Sequence, residues 1–172
     1  TMYSSYEIVK LLVDSNVDLD CYDLQFTRPM HLATLYSTVD VVELLIKHGV
    51  EKECTNNYGI TPIHNAAKAG SIEIVKLLIK EKVDLNVMDV VEMRPINYAI
   101  INSSLKIVKL LIKNGADINV IDISKRNLIQ LSIETGLINN EITKFLIDNG
   151  VSINHTNEKN ESVFLIACKK YN

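Results

Sequence analysis

The chain has 172 residues, of which 47% are hydrophobic and 23% charged, and its formal net charge at pH 7 is −3. This apolar content excludes an intrinsically disordered chain. The slight acidic excess argues against nucleic acid as a partner, because such binding draws most of its affinity from clustered Lys and Arg. The longest apolar segments, such as residues 107–112, are interrupted by lysine and fall far short of the roughly 20 residues that span a bilayer, so no membrane segment is predicted.

An apolar segment recurs along the chain with a fixed period. Its first four copies occupy residues 8–20, 41–53, 74–86 and 107–119. Each of these copies begins 33 residues after the one before it. A fifth copy begins at Ile142 after a step of 35, so two residues are inserted around residues 137–140. A period of this length predicts a solenoid of helical repeats.

The first four copies carry apolar residues at positions i, i+1, i+3, i+4 and i+5, and the fifth differs only by Thr143 at i+1. This pattern predicts a short outer helix with a broad buried face. Ser5 and Ser71 stand before two of these helices, where a hydroxyl oxygen can accept the free amides of a first turn. Gly49, Gly115 and Gly150 follow three of them, at the left-handed position that ends a helix. The sequence therefore predicts both ends of these helices.

A second motif lies between the outer helices and is clearest as NNYGITPIHNAAKAG in residues 56–70. It returns in altered form in residues 23–37 and 89–103. Three prolines, spaced 33 residues apart, mark the first turn of an inner helix in these copies: Pro29, Pro62 and Pro95. The whole pattern resembles the ankyrin repeat. That resemblance implies an all-α solenoid of stacked antiparallel helix pairs joined by β-hairpin-like loops.

On this alignment, residues 1–172 form a single ankyrin-repeat domain. The full repeats are residues 23–55, 56–88, 89–121 and 122–156, with partial repeats at residues 5–22 and 157–172. The chain begins on an outer helix and stops on an inner one that keeps Phe164, Leu165 and Ile166, so we expect the parent protein to continue with more repeats or another domain.

Several positions depart from the family pattern. The Thr of the pattern is replaced by Arg28 and Arg94, and its His by Asn97 and Gln130. Its Pro is replaced by Leu128, and its turn Gly by Phe26, Glu92 and Lys125. In the family, the Thr and His tie the hairpin with side-chain hydrogen bonds. We therefore expect the altered hairpins to be less stable.

Little in the sequence indicates catalysis or metal binding. His31 and His64 occupy the histidine position of the motif, which implies a structural role bonded to the backbone. No nucleophile elbow, phosphate loop or metalloprotease pattern is present, so we predict no enzyme activity, no metal and no cofactor. Cys21, Cys54 and Cys168 form no CxxC pair, which favours reduced thiols in an intracellular protein.

The resemblance implies that the hairpin tips and one face of the inner helices meet partners. Positions there that the framework leaves free should be polar, yet many are apolar, Ile121 among them. The predicted partner-binding residues are Leu24, Leu35, Tyr36, Tyr58, Ile60, Met88, Val90, Val91, Met93, Ile101, Ile123 and Arg126. In the alternative interpretation, the altered hairpins fold some of these side chains into gaps beside Glu92 and Arg94. Lys106, Lys109 and Lys113, on an outer helix, are interpreted as a solvated face.

We therefore predict a module that binds another protein by rigid presentation of preformed apolar tips, with no nucleic acid or membrane partner. The alternatives are a regulatory or targeting segment of a larger enzyme, channel or ubiquitin-ligase adaptor, and a structural spacer. We predict a monomer, with end-to-end self-association as the alternative. The abundance of Asn, Ile and Lys at unconstrained positions is typical of AT-rich coding sequence, and in this the chain resembles ankyrin proteins of poxviruses, intracellular bacteria and some protists. That resemblance implies a host protein as partner. From the reduced thiols we predict a cytoplasmic location, with the nucleus or a host cell as alternatives.

Overall fold

A computed structural model of the chain describes residues 5–135 and 140–170. The insertion predicted near Asn139 lies outside these ranges. The chain divides into two compact units, Thr1–Asp84 (unit 1) and Leu85–Asn172 (unit 2). The prediction that residues 1–172 form one domain stays a prediction.

Unit 1 alternates outer and inner helices. In chain order they are α1 (Ser5–Asp14), α2 (Pro29–Tyr36), α3 (Val39–Lys47), α4 (Pro62–Ala69) and α5 (Ile72–Lys80). The inner helices α2 and α4 pack against each other, and the outer helix α3 packs against both α1 and α5. Each inner helix also packs on the outer helix that follows it. The unit is thus two helix layers.

Unit 2 repeats this arrangement. Its described helices are α6 (Pro95–Ile101), α7 (Leu105–Lys113), α8 (Leu128–Glu134), α9 (Asn140–Asp148) and α10 (Val163–Lys170). The inner helix α8 packs against α6 and α10, and the outer helices α7 and α9 pack on each other and on their inner neighbours. The prediction of an all-α repeat fold is confirmed in each unit.

The helix faces that the apolar spacing predicts are the faces that become buried. In α5, Ile74, Val75 and Leu78 are at most 1% exposed. Burying such a side chain contributes about 1.5–3 kcal/mol, which outweighs the weak helix propensity of β-branched residues. Ala66 and Ala67 of α4 are completely buried, and their small side chains allow α2 and α4 to approach closely.

The helix ends follow most of the sequence signals. Ser5, expected to stand before an outer helix, is instead the first residue of α1. Pro29, Pro62 and Pro95 are each the first residue of an inner helix, as predicted. Ser71 does occupy the N-cap position of α5, but its side chain makes no capping hydrogen bond. The prediction that this hydroxyl satisfies the first-turn amides is therefore wrong, and the helix depends on burial of its apolar face instead.

The three glycines predicted to end outer helices all have left-handed backbone, with φ of 80° at Gly49, 100° at Gly115 and 85° at Gly150. This prediction is confirmed. A Cβ at this φ is strained even where there is space for it.

Candidate binding surface

The hairpin loops of both units share one construction. The first loop residue accepts hydrogen bonds at 2.8–3.0 Å from the backbone amides two and four residues further on. The residues that do so are Asp23, Asn56, Asp89, Asp122 and Asn157. At Asp23 the amides of Thr27 and Gln25 lower the pKa of the carboxyl group, because they stabilise the carboxylate. This side-chain bond holds each tip in a single shape.

A second tie connects each hairpin to the inner helix that follows it. The amide of Arg28 donates to Nδ1 of His31 at 3.1 Å, and the amide of Thr61 donates to Nδ1 of His64 at 3.1 Å. The expected backbone-bonded role of these histidines is confirmed. In addition, Nε2 of His31 lies 2.9 Å from the carbonyl oxygen of Ile60, so His31 joins two neighbouring hairpins of unit 1.

The residues that replace histidine in unit 2 keep this tie. The amide of Arg94 donates to Oδ1 of Asn97 at 3.0 Å. The amide of Asn127 donates to Oε1 of Gln130 at 3.1 Å, and Nε2 of Gln130 donates to the carbonyl oxygen of Glu161 at 2.8 Å. We expected this hydrogen bond to be lost with the histidine. It is preserved, because a side-chain amide oxygen accepts it in place of the histidine nitrogen.

The tie at His31 predicts a loss of stability in acid. The ring is completely buried, and burial lowers its pKa, because the charged form loses its hydration. The unfolded state, with a histidine pKa near 6.5, then binds a proton more readily than the folded state. His31 should therefore contribute full stability above about pH 6.5 and lose it as the pH falls through the lowered pKa of the folded state.

Urea unfolding at pH 7.5 and 5.0 checks this, with His31→Gln as the comparison. Glutamine should keep both hydrogen bonds, as Gln130 does in its own repeat, but it does not titrate. The variant should lose less stability than the parent protein between the two pH values. An unchanged pH dependence would show that His31 does not contribute to it.

The fourth loop residue has left-handed backbone in every described hairpin. Gly59 has φ of 68°, whereas Phe26, Glu92, Lys125 and Asn160 adopt φ of 58–60° with a side chain present. Left-handed backbone costs a residue with a Cβ roughly 1–2 kcal/mol. Replacement of the glycine at the fourth loop position has therefore left the loop shape unchanged, but the residue that replaces it is strained.

Relief of this strain is expected to stabilise unit 2. Glu92→Gly should raise the free energy of unfolding by about 0.5–1 kcal/mol, since the relieved strain exceeds the added backbone entropy of glycine. Phe26→Gly in unit 1 should bring no gain, because it also removes an aromatic stacking contact worth about 0.5–1.5 kcal/mol. Chemical denaturation of both variants measures the difference. Equal effects at the two sites would contradict this account.

Unit 1 exposes large apolar side chains at its hairpin tips. Leu24 is 98% exposed, Tyr58 56% and Tyr36, at the end of α2, 79%. Leu35 and Ile60, also predicted to contact a partner, are half-buried. The tips are joined, because the amide of Asn57 donates to the carbonyl oxygen of Gln25 at 3.0 Å.

Two further aromatic residues at this site were not predicted to bind a partner. The rings of Tyr22 and Phe26 are stacked, with centroids 4.9 Å apart and planes within 6° of parallel. Both side chains remain substantially exposed. The four-residue separation of the two aromatic residues could have indicated that they meet across the loop. Phe26 stands where the repeat has its turn glycine, so it was counted among the altered framework positions and not among the binding residues.

Unit 2 presents the denser apolar surface. Met88, Val90 and Val91 on one hairpin and Ile121 and Ile123 on the next form the unit-2 tip surface, with exposures of 38–59%. The amide of Ile123 donates to the carbonyl oxygen of Val91 at 3.2 Å, which fixes the two hairpins edge to edge.

The remaining unit-2 residues of the predicted set lie around this surface. Ile101, at the end of α6, is 39% exposed. Met93 is half-buried, so the alternative interpretation, in which altered hairpins fold apolar side chains inward, describes Met93 better than Val90 or Ile123. Beside Met93, Nε of Arg94 donates to the carbonyl oxygen of Asn86 at 3.0 Å.

Arg126, predicted as an interface anchor, is occupied within its own repeat. Its guanidinium lies 2.7 Å from Oδ2 of Asp122 and 2.5 Å from Oε2 of Glu134, and its side chain is 22% exposed. Burial opposes the charged guanidinium, but bonds to the two carboxylates outweigh it and raise the pKa of Arg126. The structure uses Arg126 to hold the hairpin at Asp122, and its contact with a partner stays a prediction.

The cysteines and the possible metal ligands among the described residues bear on the expectations for metal and thiol chemistry. No three His, Cys, Asp or Glu side chains within residues 5–135 and 140–170 are grouped to hold a metal ion. All three cysteines are free thiols, and burial raises the pKa of the Cys54 thiol to about 11, so this thiol is a poor nucleophile. Within the same ranges, no helix has the length and apolar character to cross a membrane.

Comparison with protein families agrees with these repeats. The family model for ankyrin repeats, which spans three copies, matches residues 1–89 and again residues 30–122. Comparison with curated protein sequences gives no significant match. Because the family matches together cover well over half of the chain, the chain belongs to the ankyrin repeat family.

Proposed function

We propose that the chain binds an apolar segment of another protein on the unit-2 tip surface. Ankyrin repeats generally mediate binding to other proteins, and this chain shares their architecture. The observation that carries the more specific proposal is the group of exposed β-branched and methionine side chains on two hairpins joined by a backbone hydrogen bond. Contiguous apolar side chains at a protein surface mark interaction sites.

The construction of the hairpins supports rigid presentation. Asp89 is 7% exposed, and its carboxylate accepts hydrogen bonds from the backbone amides of Val91 and Met93. It also accepts one from the hydroxyl of Tyr98, whose oxygen lies 2.5 Å from Oδ2 of Asp89. Asp122 holds the next hairpin in the same way, with Arg126 in place of the tyrosine. A surface held in its bound shape loses little conformational entropy on association, so more of the contact energy appears as affinity.

We further propose that the partner is a protein in a reducing compartment, such as the cytoplasm, where three free thiols are stable. The resemblance to ankyrin proteins of poxviruses, intracellular bacteria and protists, which rests on the Asn, Ile and Lys content, favours a host protein as partner. A role as ubiquitin-ligase adaptor or as part of a larger enzyme or channel is compatible with the same surface. A structural spacer is disfavoured, because a spacer has no need for exposed apolar tips.

The proposal can be tested with peptide ligands that are selected on the protein itself. A random peptide display library is panned against the chain, and enriched peptides are titrated into 15N-labelled protein. We expect peptides rich in apolar residues and amide shifts concentrated at residues 88–93 and 121–124. Shifts confined to outer helices, or no enriched peptide, would contradict the proposal.

A further inference from the structure

We propose that the outward face of α7 is a second binding site, which takes an acidic segment of a protein partner. This site is separate from the unit-2 tip surface and does not depend on it. The helix reads LKIVKLLIK and contains three lysines and no acidic residue. Ile107, Val108 and Leu111 are completely buried, which turns Lys106, Lys109 and Lys113 outward.

The geometry of the helix places these three ammonium groups in one row. At 3.6 residues per turn, positions 106, 109 and 113 fall within an arc of about 60°, and they extend over about 10 Å of the helix axis. All three side chains are exposed, as is Lys144 on the neighbouring helix α9. The row is therefore accessible along its whole length.

The repeats themselves provide an internal comparison. The positions equivalent to Lys106, Lys109 and Lys113 are Glu73, Lys76 and Lys80 in α5, Asp40, Glu43 and Lys47 in α3, and Glu141, Lys144 and Asp148 in α9. Every one of these other helices mixes the two signs of charge. A mixed row is typical of a solvated face, whereas the uniform row on α7 leaves three like charges side by side, an arrangement that an acidic partner would relieve. This differs from our sequence-based interpretation of Lys106, Lys109 and Lys113 as a solvated face.

Among the described residues, some cations have an ion pair and others, such as Lys47 and Lys80, have none; the lysines of this row belong to the second group. Lys52 pairs with Glu81, Lys76 with Glu73 and Arg94 with Asp117. In the described ranges, no ion pair involves Lys106, Lys109, Lys113 or Lys144. Nζ of Lys109 instead lies 5.3 Å from the ring centroid of Phe145, a contact that restrains one ammonium group without neutralising it.

An acidic protein segment fits this row better than the other polyanions. The protein as a whole carries a net charge of −3, which repels a long nucleic acid or an extended anionic membrane. Glu141 and Asp148 on the neighbouring helix α9 occupy the positions equivalent to Lys106 and Lys113, so we expect them to limit the extent of the row. A short segment with carboxylates at helical spacing matches a row of about 10 Å, since residues three and four apart share one helix face.

The test uses a fluorescein-labelled helical peptide with glutamates at positions i, i+3 and i+7, measured by fluorescence anisotropy at 30 mM salt. The same peptide with lysine in place of each glutamate is the reverse-charge control. We expect saturable binding of the acidic peptide that weakens at least tenfold at 300 mM salt, and none of the basic peptide. Absence of saturable binding would overturn the proposal.

Matched variants locate the site. Lys109→Glu with Lys113→Glu should weaken binding at least tenfold. Lys76→Glu with Lys80→Glu makes the same charge change at equivalent positions of α5 and should alter binding less than twofold. Equal losses would mean that only net charge matters, which would overturn the proposal. Circular dichroism before the titration checks that both variants keep the helicity of the parent chain.

Two further measurements separate this site from the alternatives. If Val90→Asp with Ile123→Asp abolished binding of the acidic peptide, the peptide would occupy the unit-2 tip surface, and the α7 site would be refuted while the proposed function stood. Tighter binding to anionic vesicles or duplex DNA through the same lysines would show that the occupant is not an acidic protein segment.

Discussion

Val90→Asp with Ile123→Asp is expected to weaken the binding of tip-selected peptides at least 100-fold. Both residues lie on the unit-2 tip surface, with 59% and 52% of their side chains exposed in the free protein. A contact there would replace water around each side chain with apolar groups of the partner. An aspartate in that contact loses hydration without gaining a partner, and central interface residues each contribute about 2 kcal/mol or more.

The fold should tolerate this change. Neither side chain is buried, and the hydrogen bonds that shape the hairpins come from Asp89, Asp122 and the backbone, which the substitutions leave in place. The midpoint of thermal unfolding should therefore stay close to that of the parent protein. Isothermal titration calorimetry with the selected peptides measures the loss of affinity.

A second double variant provides the control. Ile147→Asp with Ile153→Asp adds the same charge at two apolar residues of unit 2 that are 46% and 53% exposed but lie outside the unit-2 tip surface. Affinity should fall less than threefold. If this variant lost as much affinity as the first, the loss would reflect added negative charge and the tips would not be the contact.

The helical framework was predictable because it depends on periodic features. The spacing of apolar residues predicted the outer helices, and the prolines predicted where the inner helices begin. The glycines predicted left-handed helix ends, such as that at Gly115. The failed prediction at Ser71 has a physical reason: a hydroxyl at the N-cap position is necessary for a capping bond but does not ensure the rotamer that makes it.

The hairpins were harder to predict because several side chains can perform one task. In two repeats, the side-chain oxygens of Asn97 and Gln130 accept the hydrogen bond that a histidine nitrogen accepts in the other repeats. The replacement of histidine therefore kept a hydrogen bond that we expected to be lost. The stacking of Tyr22 on Phe26 depends on a left-handed residue that carries a side chain. The exposure of each tip side chain likewise depends on three-dimensional packing, which leaves Val90 exposed but half-buries Met93.

Asp122→Ala is expected to cause the largest loss of stability among the single substitutions considered, about 3 kcal/mol in the unfolding of unit 2. The carboxylate is completely buried and accepts from the amides of Ser124 and Arg126 and from two nitrogens of the Arg126 guanidinium. Alanine would leave the amides without their acceptor. It would also leave a largely buried cation with only Glu134, across a bond of 2.5 Å.

Two comparisons divide this loss into its causes. Asp122→Asn keeps Oδ1 as an acceptor for both amides, as Asn56 and Asn157 do in their own hairpins. It replaces Oδ2, which accepts from Arg126, with an amide NH2 group, so the charge and the hydrogen bonds to Arg126 are both lost. It should therefore lose clearly less stability than Asp122→Ala. Asp23→Ala removes the same loop acceptor at an exposed position, where water can replace the lost bonds, so its effect should be the smallest of the three.

Urea denaturation followed by circular dichroism ranks the three variants. The order Asp122→Ala, Asp122→Asn, Asp23→Ala, from the largest loss to the smallest, would show that burial and the Arg126 ion pair matter beyond the loop itself. Equal losses for both alanine variants would contradict that order, because the effect would then come from the loop alone. The ion pairs of Arg126 with Asp122 and Glu134 would then add no stability, and a partner could compete for Arg126, a predicted contact residue, at little cost to the fold.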